Sequence, residues 1–299
     1  GNATAARQSA RGSGMFHASG DTFTLCVSAL QCLNLLAFTN EMKAPTAYSK
    51  FARTTSRSVP SKVGMLIIYT PAMCAAGFCV AVPATTNNNG RELLVATMLF
   101  LHFAKRVVET VAVHHYSGSL DGGVGGFIGL FYALLTMLIS SQQAAVPRAV
   151  YHETAETLLP VGVALFIAGE VGNLYHHWLL AQMRTPAKQA QLLRGVSGAA
   201  LQTPTTAESL AAAPPTPSPR AYVVPSGGLF SLVTMPHYLC ELAAWLGIAL
   251  VAQQLNALLV FAGMASYLSG RAVATTRWYR AKFGKAWPEH RRHLVPFVF

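Results

Sequence analysis

Seven apolar runs, near 22–38, 63–82, 93–115, 123–140, 158–180, 229–253 and 255–270, dominate this chain. Each approaches the roughly 20 residues that cross a bilayer as a helix. Inside a bilayer every backbone polar group must be satisfied within the protein, so runs of this length are restricted to helices. Only 11% of the 299 residues are charged, against about 25% in a water-soluble domain. The expected fold is therefore an all-α integral membrane protein, a seven-transmembrane-helix bundle with a basic C-terminal tail on the cytoplasmic side.

The basic residues support this division. With the N-terminus outside, the inward segments 39–62, 117–122, 181–228 and 271–299 carry sixteen Lys/Arg, and the outward segments carry four. That asymmetry follows the positive-inside rule and places the C-terminal tail in the cytoplasm. The net charge of +11 thus reflects membrane topology or anionic ligands rather than nucleic acid, since the bases lie in loops and tails between apolar runs. Residues 1–21 lack an apolar core and read as an N-terminal extension. Residues 185–221 are rich in Ala, Pro, Thr and Ser and end in PPTPSPR. This composition cannot bury enough surface to offset its ordering entropy, so it reads as a cytoplasmic insertion interrupting one domain over 22–299. The odd set Cys26, Cys32, Cys74, Cys79 and Cys240 contains no CxxC pair and reads as buried small hydrophobes.

Two motifs invite functional readings and are set aside. GGVGGFIG, Gly122–Gly129, has GxGxxxG spacing and opens an apolar helix, whereas a dinucleotide fingerprint needs GxGxxG between strand and helix. Gly122/Gly126 and Gly125/Gly129 instead match small-xxx-small helix packing. Ten histidines include the doublets His114–His115 and His176–His177, yet no HxxxH or HxxHH box occurs, and no metal is expected.

Polar residues inside the apolar runs are more informative, because ionisable groups at membrane depth face partners or a cavity. Lys105, Arg106 and Glu109 interrupt the third run. In EVGNLYHHWLLAQMR, Asn173, His177 and Arg184 fall on one helical face, a stripe suited either to interhelical hydrogen bonds or to gripping a cofactor phosphate. HYLCELAAW aligns His237, Glu241 and Trp245, and RAVATTRWYRAKF aligns Arg271, Thr275 and Tyr279. Their plain readings are a structural histidine–carboxylate pair and a juxtamembrane basic segment.

YVVPSGGLFSLVTMPHYLCELAAWLG, the terminal RWYRAKF and LVPFVF, GNLYHH and HFAKRVVETVAVHHYS together resemble the steroid 5α-reductase family of membrane enzymes. Within it the chain is most similar to the trans-2-enoyl-CoA reductases of very-long-chain fatty-acid elongation. The resemblance covers residues 62–299 apart from the insertion. It implies an endoplasmic-reticulum enzyme that takes NADPH from the cytoplasmic side and reduces the 2,3 double bond of a long-chain enoyl-CoA, in company with other elongation enzymes. Carried onto matching positions, Arg106, Asn173, His177, Arg184, Tyr222, His237, Glu241, Arg271 and Tyr279 would form the cofactor site. Tyr238 would be the catalytic acid and Tyr69 the oxyanion donor. His237 replaces the family's amide, and Tyr69, Phe103 and Thr275 replace the ketone-binding set of the steroid enzymes, which argues against a 3-keto steroid. A steroid or polyprenol reductase, or a catalytically silent membrane scaffold, are the alternatives.

Overall fold

The structure, a computed structural model, describes residues 16, 22–46, 51, 55–82, 90–145, 153–185 and 222–299. Most of the 1–21 extension and residues 186–221 of the expected insertion lie outside them. In chain order the helices are α1 (Thr22–Leu33), joined through a 3-10 turn to α2 (Ala37–Lys43), then α3 (Ser61–Ala81) and α4 (Gly90–Val108). They continue as α5 (Gly122–Ala145), α6 (Glu153–Gln182), α7 (Pro236–Ala252) and α8 (Leu255–Phe283). The chain is an all-α, multi-pass membrane protein. Among the described residues, five stretches are long and apolar enough to cross a membrane: α1–α2 together, α3, α5, α6 and α8. The other two expected spans fall short of that measure: α7 has 17 residues, and α4 carries charges in both its first and last turns.

The interior is apolar where Ile68, Leu99, Phe103 and Ile248 pack, yet large apolar side chains also cover the outside and charged ones lie within. Phe23, Leu30, Phe78, Leu101, Phe127, Leu134 and Ile167 face outward, whereas Arg106, Glu109, Asn173, His177 and Arg271 are buried. Lipid solvates the apolar side chains, and polar side chains find partners only inside the bundle. The same logic corrects the expectation for the cysteines. Cys26, Cys32 and Cys74 are exposed rather than buried, because a small apolar side chain is as well solvated by lipid as by a core.

Without a hydrophobic force between helices in lipid, close packing depends on small residues. A Cβ on Gly129 would collide with the Ile67 carbonyl of α3, and one on Gly125 would stand 3.6 Å from the Gly64 carbonyl. The pair Gly125/Gly129 is thus the seam between α3 and α5. Gly126 faces open space, so the pair Gly122/Gly126 is not part of it. A second seam, between α6 and α7, was not read from the sequence: a Cβ on Gly247 would lie 2.5 Å from the Gly162 carbonyl, and one on Gly169 would lie 2.6 Å from the Cys240 carbonyl.

The connections sort into two ends. At one, the strand Ser58–Pro60 pairs antiparallel with Ser119–Asp121. Asp121 then caps α5, accepting from Val124 N–H at 3.0 Å and from the Thr55 hydroxyl at 2.6 Å. These hydrogen bonds, the Thr55 one foremost, hold its carboxyl below the usual carboxylate range. At the other end Arg91 donates to the Val251 carbonyl at 2.9 Å and pairs with Glu156 at 3.1 Å, joining α4, α6 and α7. The segments expected to share a side of the membrane therefore meet.

Two expected boundaries shift. The run 229–253 opens in a 3-10 turn, Gly228–Ser231, and becomes α-helical only at Pro236, which occupies the first turn of α7. Proline lacks an N–H and presets φ, so it starts a helix readily. The run 255–270 continues as helix to Phe283. Beyond it the basic tail folds back onto the start of α7. Thr234 N–H donates to the Arg292 carbonyl at 2.8 Å, Arg292 N–H to the Leu232 carbonyl at 3.0 Å, and Arg291 to the Pro225 carbonyl at 2.7 Å. Leu294 is buried beneath this hook.

Candidate functional site

Residues 102, 105, 106 and 109 recur at helical spacing, so α4 presents one polar face. Glu170, Asn173 and His177 do the same on α6, and the two faces meet. Lys105 pairs with Glu170 at 2.8 Å and donates to Asn173 at 2.6 Å. His102 Nδ1 lies 2.6 Å from the other Glu170 oxygen. After Val108 the helix loosens into a π turn, Glu109–Val113. This single-turn widening, common at functional sites, keeps Glu109 and Thr110 buried.

Arg106 is the hub. One guanidinium nitrogen lies 2.6 Å from Glu109 and 2.9 Å from His177 Nδ1, and the other donates to the Tyr69 hydroxyl on α3 at 2.7 Å. Asn173 donates to the His237 carbonyl of α7 at 2.8 Å, and the rings of His177 and His237 lie 5.0 Å apart. Tyr69 stacks on Tyr132 of α5, and Phe103 packs between Tyr132 and Trp245.

A second polar group adjoins this one. Arg271 of α8 pairs with Glu41 of α2 at 3.0 Å and donates to the Thr46 carbonyl at 3.3 Å, and its charge acts on the Tyr238 hydroxyl. Tyr238 and His237 have ring centroids 4.6 Å apart. Glu241 lies one turn beyond His237 on α7, and its charge acts on Tyr69, Arg106 and Tyr238.

A third group lies where α8 leaves the bundle. Tyr279 stacks on Trp287 with centroids 5.1 Å apart, Tyr222 meets Trp278 edge-on, and Arg291 covers the Trp287 ring. Arg184 is exposed, and its charge reaches Tyr279 and His114. The expected single face through Asn173, His177 and Arg184 does not extend that far. α6 ends at Gln182, and Arg184 sits in the following turn, where its N–H donates to the Ala181 carbonyl at 2.9 Å.

The structure thus joins Tyr69, Arg106, Asn173, His177, His237 and Glu241 in one region, with Tyr238 and Arg271 beside it and Arg184, Tyr222 and Tyr279 toward the basic end. Sequence reasoning assigned no role to His102, Lys105, Glu109, Glu170 or Glu41. The first four carried a signal, being charged or titratable groups at helical spacing inside apolar runs. Glu41 carried none, since its partner Arg271 is 230 residues away.

Two features suit this region to a bound polar molecule such as a nicotinamide nucleotide. Arg106 Nε is buried without a hydrogen-bond partner, and Glu241 forms no hydrogen bond or ion pair among the described residues. Glu109, His114 and His177 place ligand atoms within 4.8 Å of one another, a set chemically able to hold a cation. Arg106 already engages two of the three, Glu109 and His177.

Residues 210–299 match the family model described as 3-oxo-5-alpha-steroid 4-dehydrogenase. The steroid 5-alpha-reductase DET2 of Solanum lycopersicum is 40% identical over 78 residues, 26% of this chain and 30% of that protein. The very-long-chain enoyl-CoA reductase of Dictyostelium discoideum is 27% identical over 203 residues, 66% of this chain and 55% of that protein. Polyprenal reductase 1 of Arabidopsis thaliana is 27% identical over 240 residues, 70% of this chain and 66% of that protein. The chain therefore spans between 30% and 66% of the length of these relatives. Over residues 210–299 the chain is similar to the steroid 5-alpha-reductase family.

Proposed function

We propose that the chain is an NADPH-dependent reductase of carbon–carbon double bonds conjugated to a carbonyl, acting on a trans-2-enoyl-CoA of very-long-chain fatty-acid elongation. The observation that carries this reading is the Arg106–Tyr69 contact of 2.7 Å. The Tyr69 oxygen accepts from a cation that has no proton acceptor to offer in return, so its own O–H is available to donate elsewhere.

Bound at this site, NADPH would supply the hydride for the β-carbon. As that bond forms, charge develops on the thioester oxygen, and the Tyr69 hydroxyl is the donor placed to receive it. Such a preorganised donor in a dry site contributes about 3–4 kcal/mol to the barrier. The α-carbon then takes a proton from Tyr238, and the Arg271 guanidinium beside that hydroxyl stabilises the phenolate left behind. Arg106, with its unpartnered Nε, Asn173, His177, His237 and Glu241 would hold the cofactor's reacting end. Arg184, Tyr222, Arg271 and Tyr279 would hold its charged and aromatic parts, toward the end that carries most of the Lys/Arg. That end faces the cytoplasm of the endoplasmic reticulum membrane in this reading, and residues 22–299 act as one reductase domain interrupted over 185–221.

The test is purified protein with NADPH and a long-chain trans-2-enoyl-CoA, followed at the nicotinamide absorbance. Consumption of that substrate is expected. Consumption of a steroid enone or a polyprenal in its place would keep the reductase and change its substrate.

A further inference from the structure

The C-terminal hook carries an apolar tip. Phe297 and Val298 are 78% and 79% exposed, above Phe127 and Phe23 on the outward faces of the spans. The hook's own backbone holds them out. Leu294 and Val295 N–H both donate to the Phe299 carbonyl at 2.7 Å, and Phe299 N–H donates to the Val295 carbonyl at 3.0 Å. Closing this loop places Phe297 at φ 64°, a left-handed conformation unfavourable to a residue with a Cβ. Strain of this kind is retained where it serves a site, and here it projects two large apolar side chains.

Phe299 fixes the level of the tip. Its ring centroid lies 6.3 Å from that of Phe38 on α2, and α1–α2 is one of the spans, Thr22–Lys43. Phe38 stands about 8 Å short of the Lys43 end of that span. Its N–H donates to the Ser266 hydroxyl at 2.9 Å, and a Cβ on Gly270 would collide with its carbonyl, so α8 runs alongside at the same level. Leu35 and Leu36, just before α2, face outward. Phe297 and Val298 therefore leave the protein close to where the span meets the headgroups, and acyl chains solvate them better than water does.

Cations ring the same place. Arg277 donates to the Met42 carbonyl at 3.3 Å, beside Lys43. The charges of Arg280, Arg277 and Arg292 all act on His293, whose ring centroid lies 5.2 Å from that of Phe299. Lys43, Arg277, Arg280 and Arg292 are exposed. Glu289 pairs with Arg280 at 3.1 Å in a contact open to solvent, which neutralises little of the set.

Apolar side chains at the acyl boundary with cations beside them are complementary to a lipid of negative headgroup. We propose that the junction of α2, α8 and the hook is a binding site for an anionic phospholipid. Lys43, Arg277 and Arg292 take its headgroup, and Phe297 and Val298 lie among its acyl chains. The proposal does not depend on the identity of substrate or cofactor. It does bear on the candidate site, because Leu294 of the hook packs in one cluster with Met235, Ala272, Tyr238 and Leu242. A lipid that clamps the hook thereby steadies the segment that carries Tyr238.

The test offers the full chain in neutral detergent phosphatidylserine and phosphatidylcholine of identical acyl chains, and counts bound lipid by native mass spectrometry. Each cation near a membrane surface contributes about fivefold, so phosphatidylserine is expected to bind on the order of tenfold or more tightly. Arg277→Gln with Arg292→Gln is expected to bring that ratio toward one. Lys62→Gln with Lys282→Gln removes the same charge beside Val111 and Tyr222, away from the tip, and is expected to leave the ratio in place. A second arm places Phe297→Trp in nanodiscs. The emission gained over the unaltered chain is expected to be quenched by lipids brominated on their acyl chains and shielded from acrylamide. Equal binding of the two lipids, an equal loss in both double variants, or added emission quenched by acrylamide rather than bromine overturns the proposal. The last result would put the tip in water, the setting for a protein partner.

Discussion

The Arg106 guanidinium donates to the Tyr69 hydroxyl at 2.7 Å while its other terminal nitrogen lies 2.6 Å from Glu109. One cation thereby fixes a phenol on α3 against the π turn that ends α4. Tyr69→Phe keeps the ring that stacks on Tyr132 and removes only the hydroxyl. It is expected to lower kcat by on the order of 10²–10³ with a much smaller change in KM, read by steady-state kinetics on protein of unchanged thermal stability.

The Arg106–Glu109 pair is buried on both sides. Removing Arg106 leaves Glu109 with Lys105, at 3.6 Å, as its cationic partner. Breaking a buried pair costs up to about 3–5 kcal/mol, whereas replacing both members by apolar or neutral groups costs far less. Arg106→Met should therefore lower the melting temperature more than the double variant Arg106→Met/Glu109→Gln does. A double variant less stable than Arg106→Met would show that the pair is not the coupled unit described.

Helix packing gives a contrast between two glycines three residues apart. Gly129→Ala places a methyl group against the Ile67 carbonyl, and Gly126→Ala places one in open space. The first is expected to destabilise by about 1–3 kcal/mol through overpacking, and the second to stabilise by up to about 1 kcal/mol through helix propensity. Chemical denaturation in mixed micelles compares the two directly.

The C-terminal hook carries a pH dependence. His293 packs on Phe299 with centroids 5.2 Å apart, and burial, then Arg280, Arg277 and Arg292, push its imidazole below the ordinary value. The unfolded chain therefore takes up a proton first as pH falls. The hook's stability is full above the ordinary imidazole value of about 6.5 and declines with acidification below it. His293→Phe should flatten that acid limb of the unfolding-midpoint profile, and an unchanged profile would assign the limb to other groups.

Much of this arrangement was legible in the sequence, for reasons that differ by element. The bilayer imposes a length on every span, so Ser61–Ala81 and Gly122–Ala145 lie within a few residues of the runs 63–82 and 123–140. Lys105, Arg106 and Glu109 stood out because a charge inside an apolar run needs a partner. Where the chain leaves the bilayer that constraint lapses. Nothing in hydropathy marked α8 as continuing through RWYRAKF, and the start of α7 at Pro236 depended on a proline signal that the apolar run hid. The pairing of Glu41 with Arg271 is a product of tertiary packing between α2 and α8, which no local pattern encodes.

The central claim is that the cluster around Arg106 and Tyr69 is a reductase site. Its most direct test is NADPH oxidation at the nicotinamide absorbance by the purified chain with a long-chain trans-2-enoyl-CoA, run in parallel on Tyr69→Phe and Tyr238→Phe. Substrate-dependent oxidation that both substitutions reduce by at least tenfold, with NADPH binding retained, is the predicted result. Oxidation that proceeds at the same rate in both variants, or no NADPH binding by the unaltered chain, would contradict it.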